Sequence, residues 1–257
     1  MPDRYLCEVI SNETLCDGVF AVAVVCGDLA GEALAGQFVH VKCGDERLLR
    51  RPISICCVSG GSLKLVFEVK GKGTSWLSRI KPGETIDILG PLGRGFSLPE
   101  GKVALVGGGI GVPPLLFAAE LAGGSATSVL GFRSGDRAIM KDAFESACEK
   151  VLIATDDGSL GYHGPVTLPL KELLEGEGYG AILACGPRPM LNAVAGLCEQ
   201  FGVPCQVSLE EKMGCGIGAC LVCACATVSG GVKDMSRVCV DGPVFDATEI
   251  VWSGWDA

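Results

Sequence analysis

Residues 1–100 carry short β-rich runs of apolar positions, some alternating with polar ones, broken by Gly, Pro, Asn and Asp. The runs lie at Tyr5 to Ile10, Val19 to Cys26, Phe38 to Cys43, Ile53 to Val58, Leu63 to Val69 and Thr85 to Leu89. Short β-rich runs bounded by such turn formers predict strands, and strands this closely spaced predict an antiparallel barrel. The only helix expected here, Ser75 to Ile80, is short because Gly71-Lys72-Gly73-Thr74 and Lys81-Pro82-Gly83 bound it. From Gly101 the rhythm changes. Strands expected at Val103 to Val106, Ser128 to Phe132, Val151 to Thr155, Ala181 to Cys185 and Gln206 to Leu209 alternate with helices at Pro114 to Ala122, Lys141 to Glu149, Pro169 to Leu174 and Pro189 to Phe201. Such alternation predicts a parallel sheet with crossover helices. After Glu211 it stops, and a Cys- and Gly-rich segment follows, with one strand expected at Leu221 to Val228. That segment is too small to hold a core without a metal or covalent staple. The expected fold class is therefore α/β plus all-β: a barrel at 1–100, a parallel-sheet domain at 101–209 and a small third domain at 210–257.

Composition narrows the function. The chain of 257 residues is 48% hydrophobic and 20% charged, and no apolar run is long enough to span a bilayer. The N-terminus lacks the basic and apolar regions of a secretory signal, so a cytoplasmic location and no membrane partner are expected. A net charge of -9 without a basic cluster argues against a nucleic-acid partner.

Fifteen cysteines in such a chain point to metal, redox chemistry or buried thiols rather than to a disulfide framework. Cys215, Cys220, Cys223 and Cys239 form C-x4-C-x2-C with a distant fourth cysteine, the spacing of plant-type 2Fe-2S ligation. At this cysteine content the triplet arises by chance in roughly 5% of chains. The glycines of Met213-Gly214-Cys215-Gly216-Ile217-Gly218-Ala219-Cys220 add weight, because they let backbone amides approach sulfur. Structural zinc is the competing reading, although two C-x2-C pairs are its usual signature. Cys225 reads as a buried small hydrophobe, and Cys7, Cys16, Cys26, Cys43, Cys56, Cys57, Cys148, Cys198 and Cys205 are assigned no chemistry.

Val103-Ala104-Leu105-Val106 runs into Gly107-Gly108-Gly109-Ile110-Gly111-Val112-Pro113-Pro114, a strand, a glycine turn and a proline-opened helix that would offer amides to a pyrophosphate. A plain tight turn is the bland alternative. The segment departs from G-x-G-x-x-G, and the next strand ends at Phe132-Arg133-Ser134 without an acidic residue, which weakens an ordinary Rossmann dehydrogenase reading. Arg51-Pro52-Ile53-Ser54 and Gly71-Lys72-Gly73-Thr74 supply a cation, a hydroxyl and a second phosphate-binding turn. His40 and His163 read as structural.

Taken in order, Arg51 to Ser54, Gly71 to Thr74, Gly107 to Pro114, Cys185-Gly186-Pro187 and the cysteine segment resemble the ferredoxin-NADP reductase superfamily. More narrowly, Met213 to Cys220 and Arg237-Val238-Cys239-Val240-Asp241-Gly242-Pro243-Val244-Phe245 resemble the electron-transfer subunits of type B dihydroorotate dehydrogenases. The resemblance implies FAD, a 2Fe-2S cluster and NAD as cofactors. It implies that Arg51 meets the FAD diphosphate and Ser54 the isoalloxazine, with Pro52 and Ile53 between them also cofactor-binding, that Val66, Phe67 and Glu68 line the flavin, and that Gly73 and Thr74 cradle phosphate. Gly107, Gly108, Gly109, Ile110 and Gly111 would hold the dinucleotide, with Cys185 near the nicotinamide and either Glu210 or Glu211 beside nicotinamide or flavin. Asp156 and Asp157 either border the ribose or form a solvated turn, and Arg133 and Ser134 leave NADP open as a cofactor. The implied partner is an FMN-containing dihydroorotate dehydrogenase catalytic subunit in a heterotetramer with two of each chain, oxidising dihydroorotate for pyrimidine (UMP) synthesis. Electrons would pass from that subunit through cluster and FAD to NAD. A free-standing or differently partnered NAD(P)H reductase would share every one of these motifs.

Overall fold

A computed structural model describes residues 3–44, 48–176 and 178–253. Its first part contains β1 (Asp3–Cys16), β2 (Val19–Val25), α1 (Gly27–Glu32), β3 (Phe38–Val41), β4 (Arg51–Ser59), β5 (Ser62–Glu68), α2 (Lys72–Leu77) and β6 (Thr85–Leu92). The six strands close in the order β1-β2-β5-β4-β3-β6, every neighbour antiparallel. The period-two pattern explains this directly: along β6, buried positions alternate with half-buried or exposed ones, and Ile86 and Ile88 enter the barrel core. β3 breaks the alternation, all four residues being buried, because Val39 and Val41 fill the barrel while Phe38 and His40 are covered from outside.

Three expectations need correction here. α2 starts at Lys72 rather than Ser75. Extended Gly71 caps it, and Thr74 Oγ1 accepts the backbone N–H groups of Lys70 at 2.9 Å and Gly71 at 3.3 Å. α1 was not foreseen, since Gly27 and Gly31 weaken its helix propensity; burial of Leu29 and Ala30 stabilises it instead. Cys7 and Cys26, assigned no chemistry, form a disulfide that ties β1 to the start of α1.

The second part contains β7 (Val103–Gly108), α3 (Pro113–Leu121), β8 (Ala126–Phe132), α4 (Lys141–Ala147), β9 (Lys150–Thr155), β10 (Tyr162–His163), α5 (Thr167–Gly176), β11 (Ala181–Cys185), α6 (Arg188–Phe201) and β12 (Cys205–Ser208). These strands lie in the order β10-β9-β8-β7-β11-β12, all parallel. Every residue of β7 and β11 is buried, as expected of central strands covered on both faces. The chain order reverses between β7 and β11, and a crevice at the carboxyl ends of the strands follows from that topology.

The remaining strands are β13 (Ala224–Ser229), β14 (Val232–Arg237) and β15 (Val244–Asp246). The strand expected from Leu221 begins only at Ala224, because Leu221 has a positive φ of 59° and its carbonyl closes a turn on the Ala224 N–H. β13 and β14 form a hairpin, whereas β15 leaves the cysteine segment and pairs antiparallel with β12, extending the otherwise parallel sheet. Arg94 N–H donates to Gly242 O, and Leu209 N–H to Pro243 O at 2.9 Å. Phe245, buried with Phe38, Leu92 and Cys239, completes the attachment. Phe245→Ala should therefore destabilise the protein by about 3–5 kcal/mol. Limited proteolysis should then cut the 210–250 region before the barrel; unchanged denaturation and cleavage would contradict the attachment.

Candidate functional site

A cleft of about 1080 Å³ lies between the barrel and the carboxyl ends of β7 and β11. The barrel lines it with Arg51, Pro52, Ile53 and Ser54 from the start of β4, Val66, Phe67 and Glu68 from the end of β5, and Lys70, Gly71, Lys72 and Thr74 at the α2 turn. Gly73 stands just behind this wall, where an added Cβ would lie 2.5 Å from Arg51 Nε, so the guanidinium stem rests on the glycine. Arg51 also donates to the carbonyls of Leu49 at 2.6 Å and Arg50 at 3.2 Å. Glu68 is paired with Arg137 at 3.4 Å and with Lys70 at 3.8 Å. Arg51, Lys70, Lys72, Arg133 and Arg137 thus give the cleft a cationic wall suited to an anionic dinucleotide.

The opposite wall is built from Gly108, Gly109, Ile110, Gly111, Cys185, Gly186, Pro187 and the segment from Ser208 to Glu211. Gly111 must be glycine: a Cβ there would lie 2.4 Å from Cys185 O. Backbone contact between the turn after β7 and the end of β11 keeps this wall thin. Gly107 lies beneath it, against Val112 and Leu115. Burial pushes the Cys185 thiol up to about 12, with Ser208 partly opposing and Glu210 reinforcing the shift. Glu210 is exposed, 3.9 Å from Lys70, while Glu211 is half-buried and paired with Arg188 at 3.3 Å. Asp156 lines the cleft, whereas Asp157 accepts the Ser159 N–H and hydroxyl at 3.0 and 2.6 Å and closes its own turn.

The four motif cysteines meet beside this cleft as two pairs. Cys215 N–H points at Cys220 Sγ at 3.4 Å, and Ile217 N–H at Cys215 Sγ at 3.5 Å. Burial pushes the Cys215 thiol up, but donors from Ile217, Cys220 and Ala219 outweigh it and hold the group at about 7. Cys239 contacts Cys223, and burial followed by that contact pushes it up to about 12. Gly216 and Gly218 have φ values of 71° and 80°, which turn the intervening amides towards sulfur. Arg237 braces the loop, bonding Asp241 Oδ2 at 3.0 Å and Gly218 O at 3.3 Å. Among the described residues no three such side chains stand at closed metal-ligand geometry. Even so, four soft donors and an amide cradle fit an iron-sulfur cluster.

A second hollow, of about 1110 Å³, includes Cys215 and Cys220 and shares Arg51, Pro52, Gly186, Pro187, Glu210, Glu211 and Met213 with the cleft. One wall therefore serves both. Sequence reasoning missed His40, which is fully buried against the cysteine loop. Burial, then Arg50 and Arg51, lower its imidazole to about 4, so it is neutral. The available signal was a polar residue inside the apolar run Phe38 to Cys43.

Residues 210–251 match the family model described as the iron-sulfur cluster binding domain of dihydroorotate dehydrogenase B. Over 234 residues the chain is 45% identical to the dihydroorotate dehydrogenase B (NAD(+)) electron transfer subunit of Desulforamulus reducens, covering 88% of this chain and 89% of that protein. The chain belongs to the family of dihydroorotate dehydrogenase B electron transfer subunits. The family's member from Clostridium acetobutylicum is 39% identical over 256 residues, 98% of this chain and 99% of that protein. Among solved structures, the NADH-dependent reduced ferredoxin-NADP oxidoreductase, described for flavin-based electron bifurcation, matches with a TM-score of 0.86 at 35% identity, over 96% of this chain and 90% of that one.

The thiol environments make a direct prediction for the metal-free family member. Cys185 becomes a thiolate only as pH approaches about 12, so iodoacetamide at mildly alkaline pH should leave it unmodified until the chain is denatured. Half-buried Cys215, held at about 7, and exposed Cys220 should react well before Cys185. Peptide mass spectrometry reads both, and rapid native labelling of Cys185 would contradict this packing.

Proposed function

We propose that this chain is the electron-transfer subunit of an NAD-linked dihydroorotate dehydrogenase, carrying electrons between a catalytic partner and NAD in UMP synthesis. Its barrel (1–100) takes FAD, the sheet domain (101–209) takes NAD and the C-terminal domain (210–257) takes a 2Fe-2S cluster. The observation that carries the reading is the shared wall: the same Arg51, Pro52, Glu211 and Met213 border both the cleft and the hollow at Cys215 and Cys220. Two redox centres seated on either side would be close neighbours.

When bound, FAD links the two-electron chemistry of a nicotinamide to the one-electron chemistry of an iron-sulfur centre. The chain's own residues orient and insulate. Arg51 holds the diphosphate and Ser54 the isoalloxazine edge, Pro52 and Ile53 complete that strand's contact with the cofactor, and Val66, Phe67 and Glu68 line its flank. Gly73 and Thr74 shape the phosphate turn. Gly107 to Gly111 receive the dinucleotide, Cys185 and Glu210 border the nicotinamide, and Cys215, Cys220, Cys223 and Cys239 ligate the cluster. Among the described residues no helix is long and apolar enough to cross a membrane. A cytoplasmic heterotetramer, with two FMN-containing catalytic subunits and two copies of this chain, completes the proposal. Exposed Ile217, Leu221 and Val222 surround the cysteine loop with an apolar face that suits such a partner.

A second reading, a subunit serving a different partner, is favoured by the likeness to the ferredoxin-NADP oxidoreductase structure. Co-purification with a candidate dehydrogenase subunit separates the two: NAD-linked dihydroorotate oxidation only in the joint preparation supports the first reading, and its absence from a fully loaded complex supports the second. In that complex, Cys220→Ser should remove the cluster absorbance and lower dihydroorotate-to-NAD turnover about 100-fold or more. Wild-type turnover in the variant would exclude Cys220 as a ligand. Joint replacement of Ile217 and Leu221 by Asp should weaken subunit association by at least about tenfold, measured by titration of the two subunits; undiminished affinity would place the partner elsewhere.

A further inference from the structure

The buried face of β3 carries an unmet hydrogen-bond donor. Val39 and Val41 enter the barrel, Phe38 belongs to the apolar cluster that also holds Cys223, Val238 and Cys239, and His40, beside it on the strand, is fully buried. Among the described residues neither ring nitrogen of His40 has a hydrogen-bond partner. A neutral imidazole carries one N–H, and burying that donor without an acceptor costs free energy.

The surroundings say which way the donor looks. A Cβ placed on Gly216 would lie 2.6 Å from His40 Cε1, 2.7 Å from Nδ1 and 3.0 Å from Nε2. The nitrogen-bearing edge of the ring therefore abuts the residue that directly follows Cys215. Phe38 stands edge-on to the imidazole, ring centroids 5.8 Å apart at 64°, and limits its tilt. Phe38 also lines the flavin cleft, but His40 does not. His40 lines neither cavity, and its contact with Gly216 puts the unmet N–H against the cysteine loop.

We propose that His40 donates its ring N–H to sulfur in the cluster shell that Cys215 helps to close, seating the cysteine loop on the barrel and easing reduction of the centre. This rests on the reading of Cys215, Cys220, Cys223 and Cys239 as cluster ligands. A donor aimed at sulfur stabilises the extra negative charge of the reduced form, so it raises the reduction potential. His40 is a positioning residue, bridging barrel and loop without ligating iron.

The test compares full-length wild-type protein with His40→Leu, which removes the donor, and His40→Gln, which restores an N–H. EPR-monitored redox titration should find the reduced-to-oxidised ratio of the Leu variant about tenfold lower at the wild-type midpoint, equivalent to about 59 mV for one electron. The Gln variant should recover most of that loss. Iron-loaded His40→Leu protein with the wild-type midpoint would overturn the proposal. If a variant does not load iron, wild-type protein labelled with ¹⁵N-histidine decides. The chain has 2 histidines, and His163 lies on the outermost strand, β10, of the other sheet. A nitrogen coupling to the reduced centre in pulsed EPR is expected, and its absence refutes the contact. Iron-free wild-type protein would sink the ligand reading along with it, whereas iron-bound protein lacking both shift and coupling sinks the His40 proposal alone.

Discussion

The ladder between β12 and β15 is the constraint on which the rest of the site depends. The cysteine lobe has a two-stranded hairpin and little apolar interior of its own, so its position comes from what it is fastened to. β15 fastens it to the nucleotide-domain sheet through the pairing of Gln206, Val207 and Ser208 with Asp246, Phe245 and Val244. Arg94 and Phe38 fasten it to the barrel, through Gly242 and through the apolar cluster around Phe245. Phe38, Ser208 and Pro243 from these attachments line the same cleft as Arg51 and Pro52. Loss of the ladder would free the four thiols from the cleft while leaving each domain's own pattern intact.

The cleft shows the same economy of close approach. Gly111 lets the turn after β7 touch the Cys185 carbonyl, and Gly73 lets Arg51 lie flat against the α2 turn. Both contacts bring backbone and cation to the surface of one cavity, where a dinucleotide offers phosphate and a flat ring. Arg50 steadies the strand edge behind it by bonding Asp87 at 2.7 Å and the His40 carbonyl at 3.3 Å. Charge, rather than acid-base chemistry, is what the protein contributes here.

Much of this was legible in the sequence because period and spacing are local properties. Short β-rich runs between turn formers marked all six barrel strands, and the change of rhythm at Gly101 marked the parallel sheet. α1 was not legible, because two of its residues are glycine and the packing of Leu29 and Ala30 decides it. β15 was not either: Val244, Phe245 and Asp246 carry no sign that they return to a sheet begun far earlier in the chain. The site divides in the same way. Cysteine spacing pointed to a cluster, but the neighbour that forces Gly111 to be glycine lies at the end of another strand. His40 gave only the hint of a polar residue in an apolar run, since its meaning depends on Gly216.

In the proposed arrangement a flavin and an iron-sulfur centre sit on opposite sides of one wall and exchange electrons across it. Anaerobic titration of the purified chain with NADH, followed by visible absorbance and low-temperature EPR, measures this directly. The account predicts protein containing iron, sulfide and FAD in which NADH bleaches the flavin and brings up the signal of a reduced 2Fe-2S centre. A bleached flavin beside a cluster that stays oxidised, although a mediator-equilibrated titration reduces it at a potential no lower than that of NADH, would contradict that arrangement.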